Sequence, residues 1–197
     1  MSDFPLHSID TAPEASHSLL QDVQRQFTFL PNLHAVMAGS PALLEAYMTI
    51  SELFGSSSLT PVEQDVVLLT VSHGNGCDYC VAAHSVGADM STTPAEVVDA
   101  IRDGRVIAED KLEALRHFTA QLVNRRGWVE QQDIDALLQA GYTRQTMLDI
   151  IVGVGMKTLS NYTNHIAQTP LDDVFASRRW SKKKPPSSEA VAPERKR

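Results

Sequence analysis

Apolar residues recur along the chain at intervals of three and four, the spacing of one face of an α-helix. No stretch shows the strict alternation of apolar and polar residues that a half-buried strand requires. The sequence therefore predicts an all-α protein with a bundle-like arrangement of helices. The clearest apolar stripe, within a predicted helix over 110–126, consists of Leu112, Leu115, Phe118, Leu122 and Val123.

Capping residues, prolines and glycines divide this pattern into separate helices. Thr60-Pro61-Val62-Glu63 and Thr93-Pro94-Ala95-Glu96 are capping-box patterns with proline at the first helical position. Asn75-Gly76 predicts a break between two consecutive helices. The predicted helices span residues 13–26, 41–54, 61–73, 77–88, 94–102, 110–126, 131–140 and 144–166, and residues 29–37 form a short apolar stretch between the first two.

Two stretches of the chain resemble each other. The run 68–71 leads into Cys77, Cys80 and His84, and the run 150–155 leads into Asn161, Asn164 and His165. The asparagines repeat the three-residue spacing of the cysteines, although the spacing to the histidine differs. A bundle built on a degenerate, duplicated helical hairpin is consistent with this pattern.

Length and charge indicate one globular domain followed by a tail. The 197 residues are 43% hydrophobic and carry a net charge of −7, with a sequence pI near 5.4, which argues against nucleic acid as the main partner. Residues 177–197 are rich in lysine, arginine, proline and serine. We therefore predict a domain over 1–176 and a disordered basic tail over 177–197.

The N-terminus has neither the basic nor the apolar segment of a secretory signal, and no apolar run approaches the roughly 20 residues of a membrane span. We expect a cytoplasmic protein without a membrane partner. In that compartment a close cysteine pair is more often catalytic or metal-binding than a structural disulfide.

The candidate chemistry lies in Asn75–His84, which contains both cysteines of the chain. On a helix that starts near Gly76, Cys77 lies in the first turn, where the helix dipole favours a thiolate. His84 follows Cys80 by four residues and shares its face, so that it can accept a thiol proton. Cys77 is close enough to capture a sulfenic acid on Cys80 as a disulfide.

Two other interpretations of these residues stay open. Cys77 and Cys80 can be a buried pair of small hydrophobic residues. Together with His84 they can also bind zinc, but tetrahedral zinc needs a fourth ligand and no second Cys/His cluster is visible. We therefore predict no metal.

A general base needs an orienting partner, and Asp65 is the best candidate. It lies among apolar residues of the preceding helix, where an unpaired acid would be unfavourable. Glu63 is the rival acid, although the capping box already accounts for it. His165 is a further candidate, through the similarity of the two stretches alone.

The segments 59–72 and 75–84 resemble the carboxymuconolactone decarboxylase superfamily and, within it, the AhpD-like alkylhydroperoxidases. The shared pattern is an acid twelve residues before a C-x-x-C, followed by x-x-x-H. The resemblance is strongest over 59–88. It implies an all-α, AhpD-like fold and a homo-oligomer, often a trimer or hexamer.

The resemblance also implies a thiol-dependent peroxidase that needs no cofactor beyond its redox-active disulfide. Cys80 would be the peroxidatic cysteine, Cys77 the resolving one, His84 the proton acceptor and Asp65 the family acid. The expected partners are a small hydroperoxide and a protein or small-molecule dithiol reductant.

The chain departs from the family pattern at two positions. The family acid is typically glutamate, where this chain has Asp65. Tyr79 stands where well-studied peroxidases carry a histidine before the second cysteine. A tyrosine is a poor base near neutrality, because its ordinary pKa is about 10. Two alternatives follow: a non-peroxidase thiol–disulfide or stress module, and a lactone decarboxylase, although decarboxylase members generally lack the cysteine pair.

Overall fold

The computed structural model describes residues 3–182, and within them it is all-α, as the sequence predicts. Every predicted helix is present, with ends displaced by a few residues at most, where capping interactions rather than periodicity decide the boundary. The helices are α1 (His17–Phe27), α2 (Asn32–Met37), α3 (Pro41–Gly55), α4 (Pro61–Asn75), α5 (Asp78–Asp89), α6 (Ala95–Arg102), α7 (Asp110–Asn124), α8 (Gln131–Gln139) and α9 (Arg144–Ala167).

The connection between α4 and α5 fixes where the cysteines lie. The capping box predicted at Thr60 and Glu63 opens α4, with both of its reciprocal hydrogen bonds formed. Gly76 ends α4 with φ +66°, a left-handed conformation that glycine adopts without steric strain. The chain therefore turns at once into α5, which carries the cysteine pair.

The second predicted capping box does not form. α6 begins at Ala95 without a side-chain cap, and the hydroxyl of Thr93 instead donates a 2.6 Å hydrogen bond to Oδ2 of Asp65 on α4. A local pattern is overridden here because a tertiary partner competes for the same hydroxyl.

α4 is the central helix of the fold. It packs against α5, α6, α7 and α9 through the buried residues Val66, Val67, Leu69 and Val71. α9 crosses both α3 and α4 at close range at Gly153. A Cβ added to this glycine would lie only 2.7 Å from Cε2 of Phe54, so the crossing requires glycine. This approach brings the second half of α9 against the start of α5. The stretch 150–165 lies wholly within α9, without the break that Gly76 makes between α4 and α5.

The segment after α9 crosses back over α5 and α6. Arg178 forms ion pairs with Asp89 and Asp99, and the indole Nε1 of Trp180 donates to the carbonyl of Arg102 at 2.9 Å. The described part of the predicted tail, 177–182, therefore lies against the domain, while 183–197 fall outside the described residues. Within residues 3–182 no helix is both long and apolar enough to cross a bilayer.

Candidate active site

Both cysteines lie at the start of α5, close to where the sequence places them. Cys77 is the N-cap residue and Cys80 lies in the first turn; both are free thiols and almost fully buried, with 1% and 2% exposed. They share a donor from α9, because Nδ2 of Asn164 lies 3.2 Å from Sγ of Cys80 and 3.8 Å from Sγ of Cys77. The pair is therefore held by a helix distant in sequence.

The two thiols differ in how readily they ionise. Burial raises the pKa of Cys80, but a hydrogen bond from Cys77 and the charge of Lys157 outweigh it and hold that pKa well below its ordinary value. A hydrogen bond from Ser160 acts in the same direction. The hydrogen bond to Cys80, together with burial, raises the pKa of Cys77. Cys80 is therefore the thiol of the pair that ionises more readily.

His84 pairs with a lysine rather than with an acid. Nζ of Lys157, a side chain only 1% exposed, donates a 2.8 Å hydrogen bond to Nε2 of His84. Burial, and then the charge of Lys157, lower the pKa of His84 well below 6.5, so that its imidazole is neutral near pH 7. Lys157 also lowers the pKa of Cys80. Its ammonium group therefore links His84 to the thiol, where the sequence predicted a direct interaction between the two.

Asp65 hydrogen-bonds to residues other than His84. Its Oδ2 accepts hydrogen bonds from the hydroxyls of Thr93, at 2.6 Å, and Ser91, at 3.1 Å, and these tie α4 to the loop before α6. Burial raises the pKa of Asp65, and the two hydroxyls only partly oppose that effect. Asp65 therefore makes no direct hydrogen bond to His84 among the described residues, and its carboxylate holds a loop.

The rival acid, Glu63, is also taken up by structural contacts. It completes the capping box with Thr60, and its Oε1 pairs with Nζ of Lys111 at 3.1 Å. Burial opposes its ionisation, but the hydrogen bonds from Thr60 and Lys111 outweigh burial and lower the pKa of Glu63. His165 lies on the exposed side of α9 and stacks on Tyr162. None of these interactions joins Glu63 or His165 to the thiols.

Tyr79, between the two cysteines, is anchored away from the proton relay. Its hydroxyl donates to Oδ2 of Asp172 at 2.5 Å and accepts from the backbone N–H of Leu33 at 3.3 Å, while its ring packs edge-on against Phe175. Burial and the neighbouring Asp172 raise the pKa of Tyr79 further. This residue joins α5 to α2 and to the C-terminal segment.

The sequence interpretation missed the residues that α9 contributes: Lys157, Ser160 and Asn164. These positions follow the spacing i, i+3, i+7, which places them on one face of a helix. Polar residues at this spacing directly after the apolar run 150–156 were a usable signal of a buried polar site.

Cys77, Cys80 and His84 do not form a metal-binding cluster. Within residues 3–182 no group of three or more His, Cys, Asp or Glu side chains has a suitable arrangement. One imidazole nitrogen of His84, Nε2, is hydrogen-bonded to Lys157.

A cavity of about 700 Å³ leads to the site from the surface. Tyr47, His84 and Met156 lie along its inner part, and His84 remains partly exposed to it. The pKa of Tyr47 is raised by burial and then by the charge of Cys80, which indicates that the tyrosine and the thiolate are neighbours. Tyr47 and His84 therefore connect the cavity wall to the site, although neither cysteine lines the cavity.

Comparison with known proteins gives a family match over part of the chain and a shared fold. Residues 41–121 match the model of the carboxymuconolactone decarboxylase family. No curated protein sequence matches the chain significantly.

Three similar crystal structures share the fold. One is a peroxidase-related protein from Ralstonia eutropha JMP134, described as an alkylhydroperoxidase AhpD core: TM-score 0.78, 22% identity, covering 88% of this chain and 94% of that one. A peroxidase-related protein from Silicibacter sp. TM1040 has TM-score 0.76 and 19% identity, covering 89% and 93%. A variant of the debrominase Bmp8 in complex with 2,3,4-tribromopyrrole has TM-score 0.75 and 15% identity, covering 90% and 96%.

These likenesses confirm the AhpD-like all-α fold and the resemblance on which it was predicted. The fold alone does not choose the reaction, because the similar structures include peroxidase-related proteins and a debrominase. The choice depends on the side chains around the thiols.

Proposed function

We propose that this chain, which resembles the AhpD-like proteins and the carboxymuconolactone decarboxylase family, is a thiol-dependent oxidoreductase that reduces hydroperoxides. Cys80 attacks the peroxide, Cys77 resolves the oxidised product as a disulfide, and an external dithiol restores both thiols. The proposal needs no cofactor.

The unequal state of the two thiols carries this proposal. Cys80 has a pKa well below its ordinary value and accepts a hydrogen bond from Asn164, whereas Cys77 has a raised pKa and stays protonated. A peroxidatic cysteine must attack as the thiolate, and a resolving cysteine can wait as the thiol. This asymmetry supports the order of events that the family resemblance implies.

The reaction uses only the peroxide, the two cysteines, one proton for the leaving group and the external dithiol. The Cys80 thiolate forms a bond to one peroxide oxygen while the O–O bond breaks, giving a sulfenic acid and an alcohol after one proton reaches the leaving alkoxide. Cys77 then attacks the Cys80 sulfur, forming the disulfide and releasing water. The external dithiol reduces that disulfide and is itself oxidised to a disulfide.

We assign delivery of the proton to Lys157 and His84, which replace the predicted pair of Asp65 and His84. The ammonium of Lys157 donates to His84 and lowers the pKa of Cys80. A cation at this position stabilises the thiolate before attack and the alkoxide that develops during it. The contacts of Asp65 with Thr93 and Ser91 support leaving that acid out of the relay.

Hydroperoxide consumption with dithiothreitol as reductant tests the proposal. We expect turnover by the wild type and none by Cys80→Ser. Without dithiothreitol, Cys77→Ser should consume about one equivalent of peroxide and accumulate a sulfenic acid that dimedone traps. Equal rates for the wild type and Cys80→Ser would refute a peroxidase that uses this thiol.

A second candidate is a thiol–disulfide module without peroxidase turnover. The position of Tyr79 favours it: the side chain between the cysteines is tied to Asp172, and the raised pKa of Tyr79 removes it from proton transfer near neutrality. This candidate predicts a reversible Cys77–Cys80 disulfide in redox titrations, together with negligible consumption of peroxide.

A further inference from the structure

The cavity that leads to His84 has a mainly apolar and aromatic wall. Phe27 and Val23 of α1, Tyr47 and Phe54 of α3, and Leu68 of α4 contribute to it. Its volume of about 700 Å³ lies within the range of small-molecule binding sites. A ligand that fills it must exchange water for hydrocarbon and ring surfaces, which favours an apolar molecule.

Charge at the cavity has one sign. Glu45 and Glu52 of α3 line it and are exposed, and no lysine or arginine is among its described lining residues. Lys157 lies behind His84, almost fully buried and engaged with the histidine. A carboxylate that enters therefore meets like charges and, among the described lining residues, no cation to pair with.

One wall residue carries an unused polar group. The ring of His34 lines the cavity between Phe27 and Tyr47, is 7% exposed, and has an Nδ1 without a hydrogen-bond partner among the described residues. Burial lowers the pKa of His34 to about 4, so that the ring is neutral near pH 7. A neutral imidazole offers a hydrogen bond to an uncharged polar group and no charge to balance a carboxylate.

We propose that this cavity is the substrate-binding site and that it accepts uncharged aromatic or other bulky apolar molecules while rejecting carboxylates. The inference rests on the proposed function, because it names the substrate class of the same site. The same selectivity would also exclude a lactone substrate that carries a carboxylate.

Equilibrium binding to the full-length wild-type chain tests this selectivity without any thiol chemistry. The probes are 2-naphthalenemethanol and 6-(hydroxymethyl)-2-naphthoate, which share a ring system and a hydroxyl and differ by one carboxylate. By calorimetry at pH 7 and low salt, we expect the neutral probe to bind at least 10-fold more tightly. Equal affinities, tighter binding of the carboxylate, or no binding of the neutral probe would each overturn the proposal.

Charge variants on exposed wall residues test whether the cavity is the cause. The double variant Glu45→Gln and Glu52→Gln should narrow the affinity ratio at least 3-fold, and Thr49→Lys, which adds a cation to the same wall, should narrow it further. Glu96→Gln, on the exposed side of α6, is the matched control and should leave the ratio unchanged. An affinity ratio that does not change in the wall variants, or that changes in Glu96→Gln, would overturn the assignment.

The binding assay tests this inference, and the peroxide assay tests the proposed function, so the two can be contradicted separately. Turnover with no selectivity would leave the proposed function standing and remove this inference. Selectivity without turnover would remove the proposed function and leave the binding preference of the cavity standing.

Discussion

Nζ of Lys157 lies 2.8 Å from Nε2 of His84, where the sequence had predicted a carboxylate partner from Asp65. The difference changes the electrostatics of the site. A carboxylate would raise the pKa of the histidine and make it a stronger base, whereas the ammonium, after burial, lowers that pKa and keeps the imidazole neutral. The positive charge of the site thus belongs to a lysine and supports the thiolate of Cys80.

Removing the ammonium should make Cys80 less reactive. In Lys157→Met the thiolate loses its cation, so we expect the pKa of Cys80 to rise by at least about one unit and alkylation by iodoacetamide at pH 7 to slow roughly 10-fold. The measurement is the pH profile of alkylation in Cys77→Ser backgrounds with and without the lysine. Lys111→Met, which removes a lysine paired with Glu63, is the control. An unchanged inflection in the Lys157 variant would contradict this role.

Asn164 should act on Cys80 through the donor capacity of its amide. Asn164→Leu removes the donor, which we expect to raise the pKa of Cys80 by roughly one to two units, the range for a hydrogen bond to a charged group. Asn164→Asp keeps the shape but sets a carboxylate against the thiolate, so its effect should be larger. Alkylation profiles rank the variants, and an aspartate variant as reactive as the wild type would rule out the amide contact.

Tyr79 should contribute to stability rather than to proton transfer. Tyr79→Phe leaves Asp172 and the N–H of Leu33 without their partner, and we expect a loss of about 1–3 kcal/mol in the free energy of unfolding. The pH inflection of Cys80 alkylation should stay where it is. Denaturant unfolding measures the first effect, with the exposed Tyr162→Phe as control. A shifted inflection at unchanged stability would instead assign Tyr79 to the relay.

Stability should fall as the pH drops from about 6.5 towards 4, partly through His34. Burial lowers the pKa of His34 from 6.5 to about 4 in the folded state, so between these values the unfolded chain binds the extra proton and unfolding becomes easier. The full contribution is about 3 kcal/mol. His84, whose pKa is also lowered, acts in the same direction.

His34→Phe keeps a ring between Phe27 and Tyr47 and removes the titrating group. Its free energy of unfolding should therefore decline less than that of the wild type over this pH range. His165→Gln, at an exposed position, should follow the wild-type curve. Parallel curves for the wild type and His34→Phe would show that His34 does not carry the effect.

Local rules were sufficient for most of the fold and for the start of the site. Thr60 with Glu63 predicted the beginning of α4, Gly76 predicted its end, and the apolar stripes predicted the buried faces, because each depends on residues within four positions of one another. The same reasoning brought Cys77 and Cys80 together at the start of α5. It failed at Thr93, where Asp65 from another helix takes the hydroxyl that a capping box would use.

The sequence by itself determined the helices, the adjacency of the two thiols and the family that the 59–88 segment resembles. Only the tertiary structure decided which groups surround Cys80 and His84. Lys157 and Asn164 reach them across separations of 73 and 84 residues, because the close crossing of α9 at Gly153 sets its polar stripe against α5. Helical spacing relates neighbours along one helix and carries no information on which helix packs opposite, and that packing is what gives Cys80 its cation and its amide donor.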